Sequence, residues 1–552
     1  MSALHSSPAS ALGRALADLP PPQDWPLFLA QPALPPQFNL YEWLLGADAL
    51  ARFGARTALI GVHERLSYAA LAARCELLAT ALVGQGIGAG SRVLLYAPNS
   101  PMLGAAVLAL WRQGAQVLLC GPMLRRHELA KLRARFGPGE ISLMLCDPDL
   151  LPEWLAACEG EPPPTLNLPP DALSAQTGDL WQLAQAGRDL PAAPLHAGAP
   201  DDICLLAQTS GSSGQPKLCA HDQRALFAIC DYFPRHLQLH ADDVCSGTPS
   251  LAFTYGLGGL LLFPLAHGAA ALLGPHLPPA AFWQRARDCG ATLCFSSPLF
   301  YRQLARLDLP PARLRLAISA GEALPQATRQ AFQDASHVPL LDALGATEML
   351  HVFIAGPASG QAAPPGALGR ALPPYRVAVL DQAGQACAPG VPGRLAVQGP
   401  SGCRYWREGD SGRQGEYVQQ AWNLSGDAAH MDAQGWIFFH GRCDDLLVLD
   451  GHNLAPLEVE LLLQGQPEVA QAAVCLLPEA QRGQILAALL VLQEGAVWSA
   501  ALEQDVRRRL QVLAAYKMPR RWLTVAALPR NQNGKLQRRL LPAAAQSVLE
   551  AL

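Results

Sequence analysis

What the chain has little of narrows its reading first. Only 16% of its 552 residues are charged and the net charge is −4, so there is no basic patch for nucleic acid and no acidic tail. None of the fourteen cysteines belongs to a C-x-x-C pair. The closest two, Cys289 and Cys294, have no Cys/His pair downstream to complete a tetrahedral set, which argues against structural zinc. Irregular cysteine spacing in a large chain suits reduced thiols and a cytoplasmic setting. No basic segment runs into an apolar stretch at the N-terminus, so no signal peptide is read. The most membrane-like stretch, residues 255–274, carries no formal charge but is interrupted by Pro264, His267 and several glycines. Its length would allow a bilayer span; the interruptions favour a buried strand and helix instead, and no membrane contact is expected.

What is present is a half-hydrophobic chain too long for one core, so two or more domains are expected. Residues 1–37 are rich in proline and read as an extended or loosely attached lead-in. Strand-like runs at 57–61, 92–97 and 117–120 alternate with helical patterns at 68–84 and 102–113, which predicts α/β layers with a largely parallel sheet. Residues 159–200 read as loops around one short helix. Short alternating runs between glycine turns over 376–445 predict a small β-rich subdomain. From 445 the pattern starts afresh, as for a compact C-terminal domain of roughly one hundred residues. The expected division is a lead-in over 1–37, a large N-terminal domain over 38–443 and a mobile α+β domain over 444–552.

One loop concentrates the chemistry: Thr209-Ser210-Gly211-Ser212-Ser213-Gly214-Gln215-Pro216-Lys217. An apolar strand-like run, 203–207, precedes it, and a helix is read over 221–232. Two glycines let successive N–H groups turn inward, four hydroxyls add donors, and Lys217 adds charge, a combination suited to phosphate. The glycines are three apart and no Gly-Lys-Ser/Thr follows, so this is not the nucleotide P-loop. A mobile Gly/Ser surface loop is the plain alternative. Further on, a strand-like run over 316–319 ends in the Ala320-Gly321-Glu322 turn with a helix opening at Pro325, and another over 340–345 runs into Ala346-Thr347-Glu348. A carboxylate such as Glu348 at a strand end suits Mg²⁺, and Asp427 in Ser425-Gly426-Asp427 suits a pair of ribose hydroxyls. Each of these, read alone, is equally an ordinary surface or turn residue.

The order of these signals, completed by Gly441-Arg442-Cys443-Asp444-Asp445 and Asn533-Gly534-Lys535-Leu536, resembles the adenylate-forming superfamily of acyl-CoA synthetases and luciferase-like enzymes. The likeness runs from about Phe38 to the end. Residues 253–258 and 347–353 look like the benzoate–CoA ligase branch. The resemblance implies ATP held by Thr209, Ser210, Gly211, Ser212, Ser213, Gly214, Lys217, Ala320, Gly321, Glu322, Asp427 and Arg442. It implies Mg²⁺ at Glu348 with Thr347 beside it, and Lys535 as the lysine that neutralises charge as the acyl–phosphate bond forms. Asp444 would be the hinge of the C-terminal domain, and Asp450 and Gly451 would border the channel for a thiol arm. Phe253, Thr254, Tyr255, Gly345, His351 and Val352 would form the acyl pocket, although Tyr255 and His351 also read as core residues with satisfied polar tips.

Some positions depart from the family pattern. Ser213 replaces the commoner Thr, Val448 stands where Lys is frequent, and Thr254 stands where benzoate ligases tend to have Ala. Asp450 places a charge where they usually have Ser, which leaves the thiol acceptor open. The implied activity is ATP-dependent conversion of a small aromatic acid to its acyl-AMP, then transfer to CoA. Loading onto a carrier-protein phosphopantetheine is the first alternative, and a non-catalytic nucleotide- or acid-binding protein the second. A homodimer is an assembly the resemblance leaves open.

Overall fold

A computed structural model describes residues 18–158, 160–174, 179–210, 216–358, 363–407, 412–449, 452–479, 483–530 and 536–551. Two large sheets form the N-terminal part. The first runs, edge to edge, through Thr165–Asn167, Leu143–Cys146, Arg92–Tyr96, Gln116–Cys120, Ile203–Ser210 and Pro216–Asp222. Its strands are parallel except the last, which is antiparallel to its neighbour. The second has nine strands and is parallel through its centre, where Leu340–Gly345, Leu316–Ser319, Leu293–Ser296, Val244–Gly247, Ala270–Leu272 and Thr57–Ile60 lie side by side. Parallel strands covered on both faces are apolar almost throughout, and these are.

Helix Pro101–Arg112 is buried at all twelve positions, capped by Ser100 and opened by Pro101. An all-round apolar helix belongs in the interior, and its one charged side chain, Arg112, donates to the Ala193 carbonyl at 2.6 Å. Residues 255–274 are likewise interior. They form a helical stretch from Thr254–Leu257 through Phe263–His267, then strand Ala270–Leu272. Among the described residues no helix is long and apolar enough to cross a membrane.

A five-stranded antiparallel sheet follows, with Trp422–Met431 paired to both Gly393–Gln398 and Ile437–Arg442. After the small hairpin Leu447–Leu449/His452–Leu454, the C-terminal part builds its own apolar core. There strands Val469–Glu479, Gly483–Leu492 and Arg521–Thr524 pack against Pro456–Gln464, Ala500–Leu510 and Leu541–Ala551. The α/β fold with a small β-rich unit and a small α+β C-terminal unit is thus as the sequence implies.

Three local readings change. The helix expected over 221–232 begins at Gln223, with Asp222 as its N-cap, because Pro216–Asp222 is a strand paired with Ile203–Ser210. Strand Thr165–Asn167 lies in the region read as loop and closes one edge of the first sheet. The described part of the lead-in is extended but fixed: Asp18 pairs with Arg92 at 2.5 Å and Arg407 at 2.6 Å, and Leu29 N–H donates to the Gly399 carbonyl at 2.9 Å. All fourteen cysteines are free thiols.

Candidate active site

The edge hairpin of the first sheet opens the site. Thr209 and Lys217 face each other across its two strands. Its tip, with Gly211, Ser212, Ser213 and Gly214, lies outside the described residues, as do Lys535, Asp450 and Gly451; Ser210 ends the first strand. Lys217 is only 4% exposed, and its Nζ sits 4.1 Å from the Tyr417 ring centroid and 5.2 Å from that of Tyr405. Tyr405 is fully buried and donates its hydroxyl to Glu348 Oε1 at 2.8 Å. One tyrosine therefore lies between Lys217 and Glu348.

The turn Thr347–Met349, which carries Glu348, is anchored at both neighbours as well. The Thr347 carbonyl lies 2.9 Å from His221 Nε2. A carbonyl only accepts, so Nε2 carries the proton; burial pushes the His221 pKa down to about 3 and keeps the ring neutral. The Met349 carbonyl accepts from the Ser401 hydroxyl at 2.7 Å, itself 2.7 Å from the Tyr375 hydroxyl.

Asp427 and Arg442 are cross-strand partners. Arg442 Nη1 donates to Asp427 Oδ1 at 3.0 Å and to the Ser425 carbonyl at 2.7 Å. Burial raises the Asp427 pKa, and Arg442 opposes that rise. The charge of Glu348 adds a smaller upward push on both Asp427 and Arg442. Gly426 between them has φ +76°, and a Cβ there would lie 2.4 Å from Arg442 Nη2. A side chain at that position is doubly excluded. Gly426→Ala should displace Arg442 and raise the KM for ATP about tenfold, with helix and sheet content unchanged by circular dichroism.

The Ala320-Gly321-Glu322 turn leaves the second sheet after Ser319, with Gly321 at φ +94° and open space where its Cβ would be. Glu322 receives Arg530 Nη1 at 3.1 Å. Arg530 also forms a β-bridge with Leu536, so the described residues that flank 531–535 lie beside Glu322. Under this turn, Ser319 and Asp342 are register partners, both buried, and neither Ser319 Oγ nor Asp342 Oδ1 has a hydrogen-bond partner. Burial pushes the Asp342 pKa up to about 7, with Arg329 and the backbone at Ala343 and Leu324 pulling weakly the other way.

The six acyl-pocket residues separate into two layers. Phe253, at 37% exposed, and Gly345 lie at the surface, and Thr254 and Tyr255 are half-buried. Tyr255 donates its hydroxyl to the Ile318 carbonyl at 2.9 Å. His351 and Val352 are 2% and 1% exposed. The His351 ring lies among Phe263, Phe233 and Tyr255 at 4.6, 5.4 and 5.7 Å, and burial pushes its pKa down to about 3. A Cβ on Gly258 would come within 2.4 Å of its Cδ2. These two residues back the wall that Tyr255 and Thr254 present and are not themselves open to solvent. Asp444 is exposed in the single turn Cys443–Asp445, next to the Arg538–Asp445 pair at 3.1 Å.

Tyr405, Tyr417, His221, Ser401, Asp342 and Arg530 adjoin the candidate residues but were not singled out from sequence. Asp342 alone carried a signal there, as a single carboxylate in the apolar run 340–344.

The AMP-binding enzyme profile matches residues 47–405, and that of the AMP-binding enzyme C-terminal domain matches 458–535. The chain is 32% identical to p-hydroxybenzoic acid–AMP ligase FadD22 of Mycobacterium tuberculosis over 84% of its own length, and it spans 63% of that longer relative. It is 30% identical to the benzoate–CoA ligase of Thauera aromatica, covering 92% of this chain and 96% of that one. The solved benzoate CoA ligase from Burkholderia xenovorans LB400 superposes with a TM-score of 0.82 at 26% identity, over 92% of this chain and 100% of the other.

Proposed function

The chain belongs to the AMP-binding enzyme family, and on that premise we propose that it is an acid–thiol ligase for a small aromatic carboxylic acid. A carboxylate is a poor electrophile because its oxygen leaves poorly. Attack of that oxygen on the α-phosphorus of ATP expels pyrophosphate and gives the acyl-AMP. The thiol of CoA then attacks the acyl carbon, AMP leaves, and a thioester remains. Nucleotidyl transfer is catalysed mainly by positioning and charge neutralisation, and the residues assembled here are suited to both.

The observation that carries the proposal is convergence. Lys217 and Glu348 meet at Tyr405, Asp427 pairs with Arg442, and the Ala320–Glu322 turn leaves the strand beside the one that leads to Glu348, all from separate segments. The hairpin of Thr209 and Lys217 would take the triphosphate. Asp427, steadied by Arg442, would accept the ribose hydroxyls through its remaining lone pairs. The orphaned Ser319 Oγ and Asp342 Oδ1 lie under the Ala320–Glu322 turn, where a base amino group would satisfy them. Glu348, a hard oxygen donor with only one of its oxygens hydrogen-bonded to Tyr405, fits Mg²⁺ with Thr347 beside it. When bound, that ion would offset phosphate charge. Asp444 would be the pivot on which the unit over 444–552 moves Lys535 away before the thiol enters, with Asp450 and Gly451 beside the thiol path.

The names of the relatives, a p-hydroxybenzoic acid–AMP ligase and a benzoate–CoA ligase, support an aryl acid. Thr254 at the pocket wall supports a ring with a polar substituent. The test is ATP–pyrophosphate exchange over a panel of acids, followed by product analysis with CoA and with a phosphopantetheinylated carrier protein. Benzoate or a hydroxy- or aminobenzoate should exchange at least about a hundredfold faster than long-chain fatty acids, since the pocket wall is closed by packed rings. Equal turnover of fatty acids rejects the aryl assignment. Thioester formed with the carrier protein and not with CoA moves the acceptor to phosphopantetheine.

A further inference from the structure

Lys217 and Glu348 pose an electrostatic puzzle. The ammonium is buried, and among the described residues it finds no carboxylate at ion-pair distance, only two aromatic faces. The carboxylate of Glu348 lies just beyond one of those rings. Opposite charges in a water-poor site attract strongly, and a direct pair would be the expected resting state. Such a pair would cancel both charges in the place where one must meet phosphate and the other a cation.

We propose that Tyr405 is a positioning residue that keeps this ammonium and this carboxylate separate and ready: its hydroxyl holds Glu348 while its ring, with that of Tyr417, holds Lys217. The inference rests on reading this mouth as the ATP site. Its geometry suits the task. The hydroxyl donation at 2.8 Å to Oε1 fixes one carboxylate oxygen and leaves the other free. The Tyr405 and Tyr417 rings lie 5.3 Å apart at 83°, an edge-to-face corner with Nζ against both, and a cation over such faces is held without being neutralised. The Cys219–Tyr405 backbone bridge locks the corner to the hairpin that carries Lys217. Tyr405 acts through its two neighbours, Glu348 and Lys217.

The test separates this role from plain packing. Tyr405→Phe keeps the ring and the volume and removes only the donor. It should weaken binding of ATP·Mn²⁺, read by calorimetry and by the Mn²⁺ resonance signal, about ten- to thirtyfold, with an unfolding midpoint close to that of the wild type. Binding of ATP in EDTA should change less than about threefold. Adding Glu348→Gln to Tyr405→Phe should cost little beyond Glu348→Gln alone, since both act at one point. Tyr417→Leu should weaken ATP binding with and without metal, because it frees Lys217 to reach Glu348. Equal ATP·Mn²⁺ affinity in wild type and Tyr405→Phe, or additive losses in the double variant, would overturn the proposal. The readout needs no acid, so a protein that binds ATP·Mn²⁺ yet activates no carboxylate fails the proposed function and still decides this point. Wild-type protein that binds no nucleotide at all rejects both.

Discussion

Lys535→Ala should lower ATP–pyrophosphate exchange about a thousandfold while ATP still binds. The reason is charge. The attacking carboxylate and the triphosphate are both anions, and their approach needs a cation between them, the part Lys535 would play. On either side of residues 531–535, Arg530 reaches Glu322 at 3.1 Å and bridges to Leu536. Three more contacts hold the C-terminal unit in this pose. Arg302 donates to the Ala470 carbonyl at 2.5 Å and to Gln464 at 3.1 Å, and Arg306 to Gln493 at 2.7 Å. Thiolysis of synthetic acyl-AMP, which needs no new phosphate bond, should survive in the same variant within about threefold. Loss of both half-reactions would mean that the turn does more than deliver charge. Unchanged exchange would remove Lys535 from the chemistry altogether.

The parts of this site that could be read in the sequence are those whose chemistry is local. Ser-Gly repeats, Gly-Glu turns and the Gly-Lys pair are motifs of adjacent residues, so a sequence shows them whole. The parallel strands were legible for a similar reason: with both faces covered, they appear as unbroken apolar runs. Strand Pro216–Asp222 was not, since Pro216 and Lys217 begin it and His221 and Asp222 end it, leaving three apolar residues in the middle. Only pairing with Ile203–Ser210 makes it a strand. Tyr405 was hidden for the same cause at longer range. It lies 57 residues from the carboxylate it holds, and nothing beside it in sequence marks a buried tyrosine as the neighbour of a lysine. His351 and Val352 carried no local sign of their depth either: the chain turns inward at Leu350, at φ +68°, and strand Val352–Ala355 runs into the core.

Asp342 carries the last large effect, and it is one of stability. The residue is 6% exposed, its Oδ1 has no hydrogen-bond partner among the described residues, and Arg329 stands 3.8 Å from Oδ2, beyond hydrogen-bond reach. Burial raises its pKa from 3.8 to about 7 in the folded chain. The sign follows from which state holds the proton. Below the unfolded value both states are protonated and the group contributes no penalty. As pH rises the unfolded chain releases the proton first, and stability falls until the folded carboxyl also ionises near pH 7. The whole cost is roughly 4 kcal/mol at 1.4 kcal/mol per unit. Asp342→Asn keeps the shape and removes the titration. Urea unfolding of nucleotide-free protein, followed through the transition of the nine-stranded sheet, should show the variant gaining on the wild type steadily from about pH 4 to pH 7 and no further above it. A difference that stays flat across that window would mean that the buried carboxyl finds a partner and keeps an ordinary pKa. With ATP bound the gain should shrink, because a base amino group seated under the Ala320–Glu322 turn would give Oδ1 the donor that the protein itself withholds.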